Sequence, residues 1–113
     1  MAIHSPATRL DQVFHALSDP TRRAMLARLA TSHCTAGELG APFRISQPSV
    51  SKHIRVLERA GVVRRSVKGR HHTLRLVPAP LRDAEMWITR HRQFWEGSLG
   101  QLDRVLAELQ RDE

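Results

Sequence analysis

The chain has one cysteine, Cys34, in 113 residues, which excludes an intrachain disulfide framework and makes a reducing compartment the natural setting. Long apolar runs are also missing. The longest spans four residues, Ala24 to Ala27, against the roughly 20 needed to cross a bilayer. Residues 1–6 lack the charged start and apolar stretch of a signal peptide. A soluble, cytoplasmic protein with no membrane partner is expected. Catalytic signatures are equally scarce: no Walker-type or dinucleotide-binding glycine loop, no HExxH, and no Ser, His and acid set on a recognisable scaffold. An enzyme is not expected. No internal repeat or low-complexity stretch is visible, and only residues 1–7 and 111–113 read as loose ends. At 41% hydrophobic and 26% charged, the composition fits one globular domain, 1–113, with a modest core.

What the chain has in quantity is positive charge. Eighteen Lys and Arg against eleven Asp and Glu give a net +7, which favours a polyanionic partner. The charge is concentrated. Residues 50–80 carry Lys52, Arg55, Arg59, Arg64, Arg65, Lys68, Arg70 and Arg75 with Glu58 as their one acid. Residues 81–113 hold five Arg and seven acids. A basic middle and a mildly acidic end imply two separate tasks.

Periodicity divides the chain into elements. Leu10, Val13, Phe14 and Leu17 share one helix face. Asp19 then serves as N-cap and Pro20 as first residue of a second helix. That helix buries Met25, Leu26 and Leu29, is expected to leave Arg22, Arg23 and Arg28 to solvent, and stops near Thr31. Thr35 and Glu38 form a capping box ahead of a short helix bearing Leu39, broken at 40–44. A fourth helix begins at N-cap Ser46. Its Val50, Ile54 and Leu57 lie on one side, with Pro48, Lys52, Arg55 and Arg59 opposite. Gly61 suits a left-handed C-cap. Residues 62–67 and 72–77 read as two strands around the loop 68–71.

Beyond Pro78 and Pro80, residues 81–110 read as a long helix. Leu81, Ile88, Trp95, Leu102 and Leu109 recur every seventh position, and Leu99 and Leu106 fill the alternate ones. Trp87, Phe94 and Val105 widen this stripe beyond what one small core can cover, so an intermolecular helix pair is expected, through Ile88, Trp95, Leu99, Leu102 and Leu106. Gly97 and Gly100 mark a close backbone approach or a bend.

Helix, helix, short helix, turn, amphipathic helix and basic hairpin is the element order of a winged helix-turn-helix: a mainly α fold with a small β-hairpin, divided into a DNA-binding core, 8–80, and a C-terminal dimerisation helix, 81–110. A helix that enters the major groove needs one face packed on its own domain and one face of donors and cations. Residues 46–59 meet both conditions. Gln47 can pair bidentately with adenine, Ser49 and Ser51 can donate to bases or phosphates, and Lys52 and Arg55 extend the cationic face. Lys68, Arg70 and His71 of the hairpin are placed for flanking phosphates or a narrow minor groove. Two other classes compete with this one. An RNA-binding winged helix is the alternative, because 37–40 and 97–100 have the Gly-x-x-Gly spacing of an RNA-clamping loop, but neither run is basic. A pure protein-interaction adaptor could use the last helix yet leaves the basic middle unexplained.

The runs Ala16 to Arg23, Ile45 to Ile54 and Leu57 to Val63 resemble the ArsR/SmtB family of bacterial winged-helix transcriptional regulators over nearly the whole chain. The resemblance implies a homodimer through the first and last helices that binds an imperfectly palindromic double-stranded DNA operator and represses transcription. It also locates two metal sites found in many members. Where one has Cys-x-Cys, this chain has Thr35 and Gly37. Where the other has Asp-x-His and a later His-x-x-acid, this chain has Asp83-Ala84-Glu85 and His91 followed by Phe94. No metal or cofactor is therefore expected, and any small-molecule or protein effector is unassigned. Other ligand sets drawn from His33, Cys34, His71, His72 and His91 lack suitable spacing; His71 and His72, adjacent in or near a strand, point to opposite faces. His53, between the core and cationic faces, reads either as a half-buried flanking side chain or as a DNA contact.

Overall fold

Asp19 and Pro20 separate two helices as their residue types dictate. The Asp19 carboxylate accepts the Arg22 amide at 3.0 Å, and Pro20, which has no amide to satisfy, opens the second helix. The computed structural model describes residues 6–111. Along it run α1 (Pro6–Leu17), α2 (Pro20–Thr31), β1 (Cys34–Thr35), α3 (Ala36–Gly40), α4 (Gln47–Arg59), β2 (Val63–Lys68), β3 (His71–Leu76) and α5 (Ala79–Arg111). Of the expected loose ends, residues 1–5 and 112–113 lie outside the described residues, whereas Pro6 and Ala7 already belong to α1 and Arg111 ends α5.

The core forms where the apolar faces of α1 to α4 meet the inner side of the sheet. Val13, Met25, Leu39, Ile54, Leu57, Val62 and Leu74 are essentially solvent-free. Truncating a buried Leu or Ile of this kind to Ala typically costs 2–5 kcal/mol, about the scale of a small domain's whole stability. The capping box is complete: Thr35 Oγ1 accepts the Glu38 amide at 3.2 Å, and the Glu38 carboxylate accepts the Thr35 amide at 3.1 Å. The Thr35 amide, aided by the Thr35 hydroxyl, holds the Glu38 carboxyl below its usual range.

Three expectations need correction. Arg22 is not a solvent-facing cation; it is 8% exposed and the sole buried charged residue among those described. The hairpin belongs to a three-stranded antiparallel sheet of order β1-β3-β2, in which Cys34 pairs with Leu74 and Thr35 with Thr73. Its loop is also shorter than expected. Lys68 pairs with His71, which leaves Gly69-Arg70 as the turn. Gly69, at φ 62°, takes the left-handed position that a glycine first in a two-residue loop allows.

Gly61, at φ 77°, terminates α4 as expected. Val77 donates its amide to Val62 O at 2.8 Å, so the chain leaves the sheet beside the point where it entered. The last helix starts two residues earlier than expected, with Pro80 in its first turn. It runs for 33 residues, about 50 Å at 1.5 Å per residue, in a chain 71 Å long. Its first half packs on α1, where Phe14 meets Trp87 edge to face at 5.7 Å. His91 stacks on Trp87 at 4.2 Å, and Trp95 approaches Trp87 at 5.7 Å. Beyond that seam the helix leaves the domain. Apart from the glycine, its chain neighbours and the adjacent turns of its own helix, no described atom lies within 4 Å of where a Cβ would stand at Gly97 or Gly100, so no other described part of the chain approaches closely at either glycine.

Candidate nucleic-acid interface

Helix α4 presents its outer face because its inner one is filled: Val50, Ile54 and Leu57 are buried. Gln47, Ser51, Lys52 and Arg55 are exposed. Ser46 caps the helix by accepting the Ser49 amide at 3.3 Å, and the two serine hydroxyls lie 3.0 Å apart. Ser49 is thus half-buried and shares its hydroxyl with the cap, a more constrained donor than Ser51. The Arg55 guanidinium folds back toward Ser51 O at 3.5 Å and stays exposed.

Lys68, Arg70 and His71 cluster at the turn end of the hairpin, all exposed. The predicted residues therefore fall into two groups, one on α4 and one on the hairpin. Strand register adds two cations that the sequence reading counted but did not place. Arg64 and Arg75 pair directly across β2 and β3. Residue alternation puts them on the same sheet face as Lys68 and His71, and both are exposed. Like charges set opposite each other repel, and an anion on this face would relieve that.

Arg65 plays a different part. Its Nη2 donates to Glu58 Oε1 at 2.8 Å and its Nε to Glu58 Oε2 at 3.3 Å, a two-pronged pair that raises the guanidinium's pKa. Its Nη1 also meets His72 Nδ1 at 3.1 Å. The lone acid of the basic window is thereby occupied, and no described acid forms an ion pair with any of the other seven cations.

On the other flank of α4, the Arg22 guanidinium donates to Ala16 O at 2.9 Å, to His15 O at 3.0 Å and to His53 Nδ1 at 3.1 Å. Because guanidinium only donates, His53 Nδ1 accepts, and the ring proton belongs on Nε2. The contact was legible in principle: residues 22, 25, 26 and 29 follow the spacing of one helix stripe, and Arg22 occupies the first place on it.

The expected dimer residues are exposed, from 38% at Ile88 through 43% at Trp95 to 59% at Leu99. Among the described residues, no three His, Cys, Asp or Glu side chains gather closely enough to hold a metal ion. No described helix is long and apolar enough to cross a membrane. Cys34 is buried, and burial pushes its thiol pKa up.

Residues 17–66 match a helix-turn-helix domain family. The chain is 38% identical over 79 residues to the transcriptional repressor SdpR of Bacillus subtilis (strain 168), covering 70% of this chain and 88% of that protein. It is 35% identical over 89 residues to the HTH-type transcriptional regulator Rv2034 of Mycobacterium tuberculosis, covering 79% of this chain and 80% of the relative. Among solved structures, an ArsR family transcriptional regulator superposes with a TM-score of 0.73 at 40% identity, covering 78% of this chain and 97% of the other. An ArsR-like regulator from Rhodococcus sp. RHA1 gives 0.70 at 27% identity, covering 88% and 93%. The likeness extends over fold and sequence together, and the chain belongs to the ArsR/SmtB family of winged-helix, DNA-binding transcriptional regulators.

Proposed function

We propose that this regulator is a cytoplasmic repressor that acts as a homodimer on an imperfect palindrome. Each α4 reads a major-groove half-site through Gln47, Ser49, Ser51, Lys52 and Arg55, and the hairpin holds flanking phosphates through Lys68, Arg70 and His71. Residues 8–80 form the DNA-binding unit and 81–110 join two copies. The observation that carries the reading is the outer face of α4, where small polar residues open the helix, cations follow, and no described acid forms an ion pair with them. Repression is favoured by the likeness to the SdpR repressor.

The apolar stripe on α5 supports the second copy. A single exposed Leu is ordinary, but Trp95, Leu99, Leu102, Leu106 and Leu109 form an unbroken seam at coiled-coil spacing, with Ile88 one heptad before Trp95. The protein has no catalytic role in this reading, and operator occupancy does not depend on a metal. Sequencing genomic fragments enriched by the purified protein tests the proposal. Enrichment of a few duplex sites with inverted symmetry is the expected result. Capture without sequence preference, or preference for single-stranded RNA over duplex DNA, would overturn it.

A further inference from the structure

Two arginines hold the recognition helix from opposite flanks, and neither is presented to DNA as a free cation. His53 and Glu58 lie five residues apart on α4, about 140° around the helix at 100° per residue, with the buried stripe of Val50, Ile54 and Leu57 between them. Arg22 of α2 takes the first and Arg65 of β2 the second. The geometry points to Arg22 and Arg65 as positioning residues that fix the roll of α4 about its own axis, and thereby decide which of its side chains reach base edges. This inference rests on α4 being the helix that reads DNA.

Apolar packing alone sets roll poorly because it has little directional preference. Hydrogen bonds weaken steeply with angle and distance, so two of them on separate flanks define an orientation. The sensitivity is large: a roll of about 20° carries a side-chain tip some 2 Å when side chains reach roughly 5–6 Å from the axis. That displacement exceeds the tolerance of about 0.5 Å in a hydrogen-bond distance. Arg22 is suited to this task because its guanidinium is itself fixed on the His15 and Ala16 carbonyls at the end of α1. His53 sits one turn after Ser49 and next to Lys52 in sequence, so its bond acts where the predicted reading residues lie.

The test compares wild type with Arg22→Lys, His53→Leu, the double variant and His53→Asn. The wild type first enriches its preferred duplex from random DNA, and selectivity is the ratio of affinities for that duplex and a scrambled one at fixed salt. His53→Leu and Arg22→Lys should each lower the ratio about tenfold, mainly through the preferred duplex. The double variant should fall no more than about twofold below the worse single, because the Arg22–His53 bond is lost in either one alone. His53→Asn, whose Oδ1 can stand where Nδ1 stood, should recover selectivity to within about threefold of wild type.

Multiplying losses in the double variant would mean that His53 touches DNA itself, which overturns the inference. An unchanged ratio in His53→Leu, an Asn variant no better than Leu, or losses that simply follow the thermal midpoint would do the same. Glu58→Leu and Arg65→Met provide the same cycle on the other flank, so an Arg22 variant that fails to fold leaves the test standing. A wild type that shows no selectivity overturns instead the reading of α4 on which the inference depends.

Discussion

Gly40 and Val50 meet across the turn of the helix-turn-helix with no room for a methyl group: a Cβ on Gly40 would stand 2.7 Å from Val50 Cγ1 and 2.9 Å from Cγ2. Val50 is buried and β-branched, so it cannot swing aside by a simple rotamer change. Gly40→Ala should therefore destabilise the fold by about 1–3 kcal/mol, the usual cost of overpacking. Urea denaturation measures this directly, and an unchanged midpoint would show that α3 and α4 can part without cost.

Asp19 gives α2 an acid-sensitive cap. The Arg22 amide bond holds its carboxyl below the usual range, and the nearby Arg22 charge adds to it. A carboxyl depressed in the folded state stabilises above its unfolded pKa and loses that contribution as pH falls through the folded value. Asp19→Ala should lose about 1 kcal/mol near neutrality, as N-cap removals do, and the gap from wild type should close as the carboxyl protonates. Denaturation at a series of pH values checks it; a gap constant down to pH 2 contradicts this account.

Replacing Leu99 and Leu106 together with Asp should yield monomers with weakened operator binding. Both side chains are about half exposed in the single chain, so the substitutions leave the core of the winged domain untouched. Light scattering that still reports a dimer removes α5 as the joining surface.

Reading and holding should fail differently. Gln47→Ala should lose about 1–3 kcal/mol on the operator and little on random duplex, because base-edge contacts discriminate among sequences. Arg70→Ala should weaken both duplexes and reduce the salt slope by about one unit, since each neutralised phosphate contributes roughly 0.9 through counterion release. Titrations at several salt concentrations that show the reverse pattern exchange the two roles.

Much of the fold was legible because strong local signals agreed with it. Asp19-Pro20, Thr35 with Glu38, and Ser46 each cap the helix expected of them, and the apolar stripe of α4 matched the buried set. What stayed hidden depended on partners far along the chain. Strand β1 has two residues, too few for any alternation, and exists only through pairing with Leu74 and Thr73. Arg22 reads as solvent-facing because a charged side chain normally belongs there, and the three acceptors that permit its burial come from α1 and α4. Charge type alone did not separate Arg65, held by Glu58, from exposed Arg64 beside it. Strand alternation and the position of Glu58 did.

The outer half of α5 has consequences for gene dosage. A lone helix of this length in water is marginal without a surface to pack against, and Gly97 and Gly100 each cost it about 1 kcal/mol relative to Ala. If a second copy supplies that surface, the order of the helix follows mass action, and scarce chains fray where abundant ones pair. The active species then grows with the square of expression at low copy number. Halving the number of chains in a cell would cut operator-competent regulator about fourfold in that regime, so a gene under its control would respond to small changes in synthesis of the regulator even with no effector bound.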